Sequence, residues 1–181
     1  MMDCKAVVAA ALVCLGGTAG ADIAAGPKTI TLTGPADQRR DIATLDLAAD
    51  GSYRINWTDA EFDDFFLSMR PFKCLTGKDK HWCHVPYPYA IERRISQGDL
   101  TDLEYDLLFL WKGAGDYGIN MWNGVYYRLR HQDGRLVGRM YEMDMDLLSA
   151  PPAPGNLRPL GVGDLHETDP DGHWLPGLVI E

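Results

Sequence analysis

Asp133-Gly134 separates two runs in which apolar and polar residues alternate, Gly124 to Gln132 and Arg135 to Asp146. A two-residue Asp-Gly turn joins antiparallel strands in one register only. It sets His131 opposite Leu136, Leu129 opposite Gly138, Tyr127 opposite Met140 and Arg128 opposite Arg139. Val125, Tyr127, Leu129, Leu136 and Met140 then share one apolar face. The other face carries Arg128, Arg130, Arg135 and Arg139, with Tyr126 and Tyr141.

A second hairpin needs a longer loop. Leu45, Leu47, Tyr53, Ile55 and Trp57 are apolar and odd-numbered on both sides of Asp50-Gly51. A two-residue turn would put the two apolar sets on opposite faces, because one step of register reverses every side chain. A three-residue loop, Ala49-Asp50-Gly51, pairs Leu47 with Tyr53 and Leu45 with Ile55. This loop places Gly51 in left-handed backbone after a type I turn.

Between the hairpins, Thr58 and Glu61 form a capping-box pattern. Phe62, Phe65, Phe66 and Met69 follow at helical spacing, and Pro71 ends the run. This predicts a short helix lying on the sheet or plugging its end. Leu103, Tyr105, Leu107, Phe109 and Trp111 alternate with Asp102, Glu104 and Asp106. That alternation predicts a strand over 103–111, with Ala90 to Ser96 as its hairpin partner across Gln97-Gly98. The competing pattern is a capping box at Thr101 and Glu104.

The start of the chain concerns destination. Lys5 precedes an apolar run from Ala6 to Leu15, then small residues ending Ala19-Gly20-Ala21. These are the parts of a cleaved secretory signal, and the run is too short to span a bilayer. Cleavage after Ala21 leaves Cys74 and Cys83 as the remaining thiols. In an oxidising compartment such a pair joins, and the turn formers between them let the ends meet. Closing a loop of about ten residues contributes about 2.7 kcal/mol in the chain-entropy model. Ala11-Leu12-Val13-Cys14 is a weaker match to a lipobox, because bulky Val13 stands where a small residue is wanted.

The formal charge is −9, and losing Lys5 together with Asp3 leaves it there. Such acidity argues against nucleic-acid binding through the phosphate backbone and against general attraction to anionic membrane. No apolar stretch after Ala21 is long enough for a transmembrane helix. Three segments emerge: a leader over 1–21, a β-rich domain over 22–150, and a proline-rich extension over 151–181 packed on that domain. The expected fold is mainly β: an antiparallel curved sheet or small barrel with one short helix and one disulfide hairpin. In outline this resembles the lipocalin architecture, without a lipocalin signature motif.

Candidate ligand-binding residues are Arg128, Arg130, Arg139, Tyr126, Tyr141, Trp111 and Trp122. Arginines facing each other repel unless an anion or nearby carboxylates relieve them. Aromatic rings line pockets or stacking surfaces, although they more often fill cores. Glu142, Asp144 and Asp146 alternate along one strand and are weak candidates for a hard cation. His166 and His173 are weak zinc candidates at the wrong spacing for one helix face. His81 and His84 flank Cys83 and read as hairpin surface residues. Gly113 to Gly118 lacks the context of a phosphate loop, and no nucleophile elbow is present. The reading is a periplasmic or secreted binding protein for a small molecule or an envelope partner, with no cofactor. The alternatives are a carboxylate-dependent hydrolase and a metal-binding envelope protein.

Overall fold

The strand-forming runs enter one antiparallel sheet. The computed structural model describes residues 23–66 and 71–181. Its strands are β1 (Gly26–Thr33), β2 (Arg39–Leu47), β3 (Tyr53–Trp57), β4 (Asp63–Phe66), β5 (Pro71–Thr76) and β6 (Lys80–His84). One helix, α1 (Thr101–Asp106), follows. Then come β7 (Phe109–Gly113), β8 (Gly124–Gln132), β9 (Arg135–Met143), β10 (His166–Glu167) and β11 (Gly177–Ile180). The order across the sheet is β3-β2-β1-β11-β9-β8-β7-β6-β5-β4, with β10 beside β9. No helix among the described residues is long and apolar enough to cross a membrane.

Both hairpins have the register that their turns dictate. In β8–β9, His131 faces Leu136, Tyr127 faces Met140 and Arg128 faces Arg139. Asp133 and Gly134 have φ of 51° and 76°, the left-handed pair that a type I′ turn requires. In β2–β3, Leu47 faces Tyr53 and Leu45 faces Ile55. Gly51, at φ 83°, takes the left-handed position. Cys74 faces Cys83 across β5–β6, and the two are joined by a disulfide.

The sheet is curved and does not close. β3 and β4 are neighbours in the chain yet form its two edges. The concave face holds the main core, in which Leu45, Trp82, Phe109, Tyr127, Leu136 and Leu178 are buried. Trp82 Nε1 donates to the Tyr127 hydroxyl at 3.0 Å, and that hydroxyl donates to Leu175 O at 2.7 Å. Side chains therefore fill the middle of the curve. A smaller cluster, with Tyr105, Leu108, Leu110, Tyr126 and Met143, covers part of the convex face.

The one α-helix among the described residues is not where the capping box at Thr58 put it. A 3-10 turn over Asp59–Glu61 leads directly into β4, and the Thr58 side chain makes no cap bond. Phe65 pairs with Phe72 of β5, a strand held to β6 by the disulfide. A paired strand thus overrides the local helical spacing, since propensity is worth only tenths of a kcal/mol per residue. Met69 lies outside the described residues.

The strand expected over 103–111 is instead α1 followed by β7. Leu103 and Leu107, one helical turn apart, enter the main core, while Tyr105 faces the convex cluster. Alternation and helical period share Leu103 and Leu107, and packing on both sides selects the helix. Glu104 then meets β8 where β7 no longer pairs with it, and its Oε1 accepts from Leu129 N at 2.6 Å. The segment over 90–96 makes only isolated bridges, Ser52 to Arg94 and Ser96 to Asp99, not a hairpin with 103–111.

β9 ends at Met143 rather than Asp146. The Asp144 side chain accepts from Asp146 N at 2.9 Å and caps a 3-10 turn over Met145–Leu148. Glu142, Asp144 and Asp146 consequently do not form one row of carboxylates. Residues 177–180 form an inner strand, between β1 and β9.

Candidate functional site

The edge formed by β3 turns in over β6 and β7 without a ladder of hydrogen bonds. A cavity of about 610 Å³ lies in this seam. The hairpin register aims Tyr53, Ile55 and Trp57 the same way, β5 supplies Lys73, and β6 ends there at His84. The Trp57 indole stacks on His84 at 3.9 Å between centroids and meets Phe62 and Phe109 edge-on.

Asp106, the last residue of α1, organises the floor. Its backbone carbonyl lies 3.1 Å from His84 Nε2. A carbonyl only accepts, so that nitrogen carries the proton. Burial holds the His84 pKa down to about 4, and the ring is neutral at neutral pH. The Asp106 carboxylate accepts from the Tyr53 hydroxyl at 2.9 Å and from Arg93 Nε and Nη2 at 3.1 and 3.3 Å. Burial, then the Asp106 charge, pushes the Tyr53 phenol well above its usual range. Arg93 has φ of 52°, a left-handed backbone that costs a non-glycine residue about 1–3 kcal/mol. Tyr53 N donates to Arg93 O at 3.0 Å and helps hold it there.

Three cations line the cavity: Arg54, Lys73 and Arg93, against Asp59 and Asp106. Lys73 lies 3.3 Å from Asp64 and 3.6 Å from Asp59, all three exposed. Arg54 makes no ion pair among the described residues. A second cavity, also about 610 Å³, adjoins the first along Lys73, His84, Pro86 and Tyr87.

The residues singled out in the sequence are divided between two faces. Arg128, Arg130 and Arg139 are exposed on the convex face, with Tyr126 buried and Tyr141 half-buried beside them. Tyr126 donates to Glu104, which is buried, and Arg139 lies over the Tyr141 ring and 3.6 Å from Glu167. Trp111 belongs to the concave side, where its Nε1 donates to Glu142 Oε1 at 3.1 Å. Trp122 is 70% exposed.

His173 is buried in the same concave cluster, 3.4 Å from Glu142 Oε1 and 3.4 Å from Lys80 Nζ. Lys80 also lies over the Trp111 ring. His166 is exposed on β10. No group of three or more His, Cys, Asp or Glu that could hold a metal ion occurs among the described residues.

His81 and His84 are not surface residues. His81 is 7% exposed and stacked on Phe65, and His84 lies under Trp57. The available signal was parity, since His84 alternates with inward-facing Trp82. Arg93 and Asp106 carried no signal of their own, because a folded-back loop and a helix end bring them together. Comparison with protein-family models, curated proteins and solved structures yields no significant match.

Proposed function

We propose that this chain is an exported binding protein whose seam cavity takes a small organic anion. The anionic group meets the cations and the apolar body lies against Trp57, Phe62 and Tyr87. One observation carries the reading: in a chain of net charge −9, this concave site has more cations than carboxylates beside a wall of rings. Convergent polar groups in a largely apolar cleft are what small-molecule sites use, and local charge selects the ligand. The strained Arg93 backbone beside the cavity supports the same reading, because such strain gathers at functional positions. Export is supported by the leader pattern and by the pairing of the two cysteines that cleavage would leave.

Benzoate and benzamide test the charge preference. Calorimetric titration of the disulfide-intact protein is expected to give benzoate binding at least about tenfold tighter than benzamide, a difference of about 1.4 kcal/mol. The double variant Arg54→Gln/Lys73→Gln is expected to abolish the difference. Equal binding of the two compounds, or an unchanged preference in the double variant, would sink the proposal. For export, sequencing the protein from its native compartment is expected to read from Asp22, and an unprocessed start would remove that part.

A further inference from the structure

The second cavity has a different character from the seam. Its lining includes half-buried Ile119 and Met121 and, behind them, buried Leu108, Leu110, Met145 and Leu148. Its lining is more apolar in balance than that of the seam. The Tyr87 hydroxyl is engaged by Leu157 O at 2.6 Å, and His84 is neutral. Lys73 is the one cation among its described lining residues, and it stands where the two cavities meet. In the chain, Trp122 follows the lining residue Met121 and Leu147 precedes Leu148, and the two are 70% and 48% exposed.

We infer that the two cavities together hold a single-chain anionic amphiphile, its head at Lys73 and its alkyl chain in the second cavity. The inference rests on the seam being an anion site and adds the class of molecule that fills it. Two adjoining hollows, one cationic and aromatic and the other aliphatic, match a ligand that is itself long and two-ended. Lys73 can receive the head because its present partners, Asp59 and Asp64, are 90% and 67% exposed. Ion pairs in such positions are weakly held and exchange readily. A compact ligand would leave the aliphatic hollow uncovered, and a cationic amphiphile would place its charge against Lys73.

Hexanoate, dodecanoate and dodecyltrimethylammonium separate these cases. They are titrated calorimetrically below their micelle concentrations against the full, disulfide-intact protein, with native mass spectrometry reporting stoichiometry. Each buried methylene is worth about fourfold in affinity, so dodecanoate is expected to bind one-to-one and at least about a hundredfold tighter than hexanoate. Dodecyltrimethylammonium is expected to bind at least about tenfold more weakly than dodecanoate. Lys73→Gln is expected to remove that preference for the anion. Met121→Gln, at a half-buried lining position, is expected to weaken dodecanoate and leave benzoate unchanged. Benzoate binding without chain-length dependence would overturn the amphiphile and leave the seam reading standing. Failure of benzoate and dodecanoate alike would remove both. Equal binding of the two amphiphiles, or several dodecanoates insensitive to both variants, would mean adsorption and overturn the inference.

Discussion

The Trp57 indole and the His84 imidazole lie 3.9 Å apart between centroids, with 37° between their planes, although their strands are far apart in the sheet order. This contact covers the imidazole from above while α1 holds it from below through Asp106 O. The pair joins the two sides of the seam and keeps the histidine uncharged.

Stability should therefore fall on mild acidification. The His84 pKa is about 4 in the fold, against 6.5 for an unperturbed histidine. The unfolded chain takes up the proton first, so stability is complete above pH 6.5 and declines as pH falls toward about 4, by as much as about 3 kcal/mol. His173 and His81, also lowered by burial and then by a neighbouring lysine, act in the same direction. Urea unfolding of the wild type and His84→Asn between pH 7 and 4 checks this. The variant is expected to lose much of the slope, and parallel curves would count against a buried neutral His84.

Cutting the disulfide should cost about 2.7 kcal/mol, the closure entropy of a loop of about ten residues. The double variant Cys74→Ser/Cys83→Ser is expected to unfold at lower urea with little change in slope. An unchanged midpoint would show that β5–β6 pairing alone suffices.

Glu104 serves as the missing neighbour of β8. It accepts from Leu129 N at 2.6 Å and from the Tyr126 hydroxyl, and burial raises its own pKa despite both bonds. Glu104→Ala leaves a buried donor unpaired and is expected to destabilise by about 3 kcal/mol. Glu104→Gln keeps one acceptor and is expected to cost about 1 kcal/mol. Amide exchange at Leu129 should accelerate strongly in the first variant and weakly in the second.

Gly138 sits where side chains of the two neighbouring strands crowd its backbone. A Cβ there would lie 3.0 Å from Leu129 Cδ2, 3.0 Å from Leu178 Cβ and 3.3 Å from Tyr127 Cβ. Gly138→Ala is expected to destabilise by about 1–3 kcal/mol through overpacking, read from the denaturation midpoint. The crowding includes β11, so the same variant should loosen the amides of Leu178 and Ile180.

Taken alone, the sequence determined both hairpin registers, the inward and outward faces of β8 and β9, and the partner of Cys74. Each follows from interactions between residues close along the chain: two-residue periodicity, turn chemistry at Asp133-Gly134 and Asp50-Gly51, and a short loop between thiols. It misplaced the helix because both patterns over 101–111 share Leu103 and Leu107, and because β5 pairs with a segment whose local spacing is helical. Tertiary structure decided the rest. The entry of residues 177–180 into the sheet, the covering of His84 by Trp57, and the meeting of Arg93 with Asp106 join positions distant in the chain or linked through loops. No local period encodes such contacts, since the curvature of the completed sheet selects them.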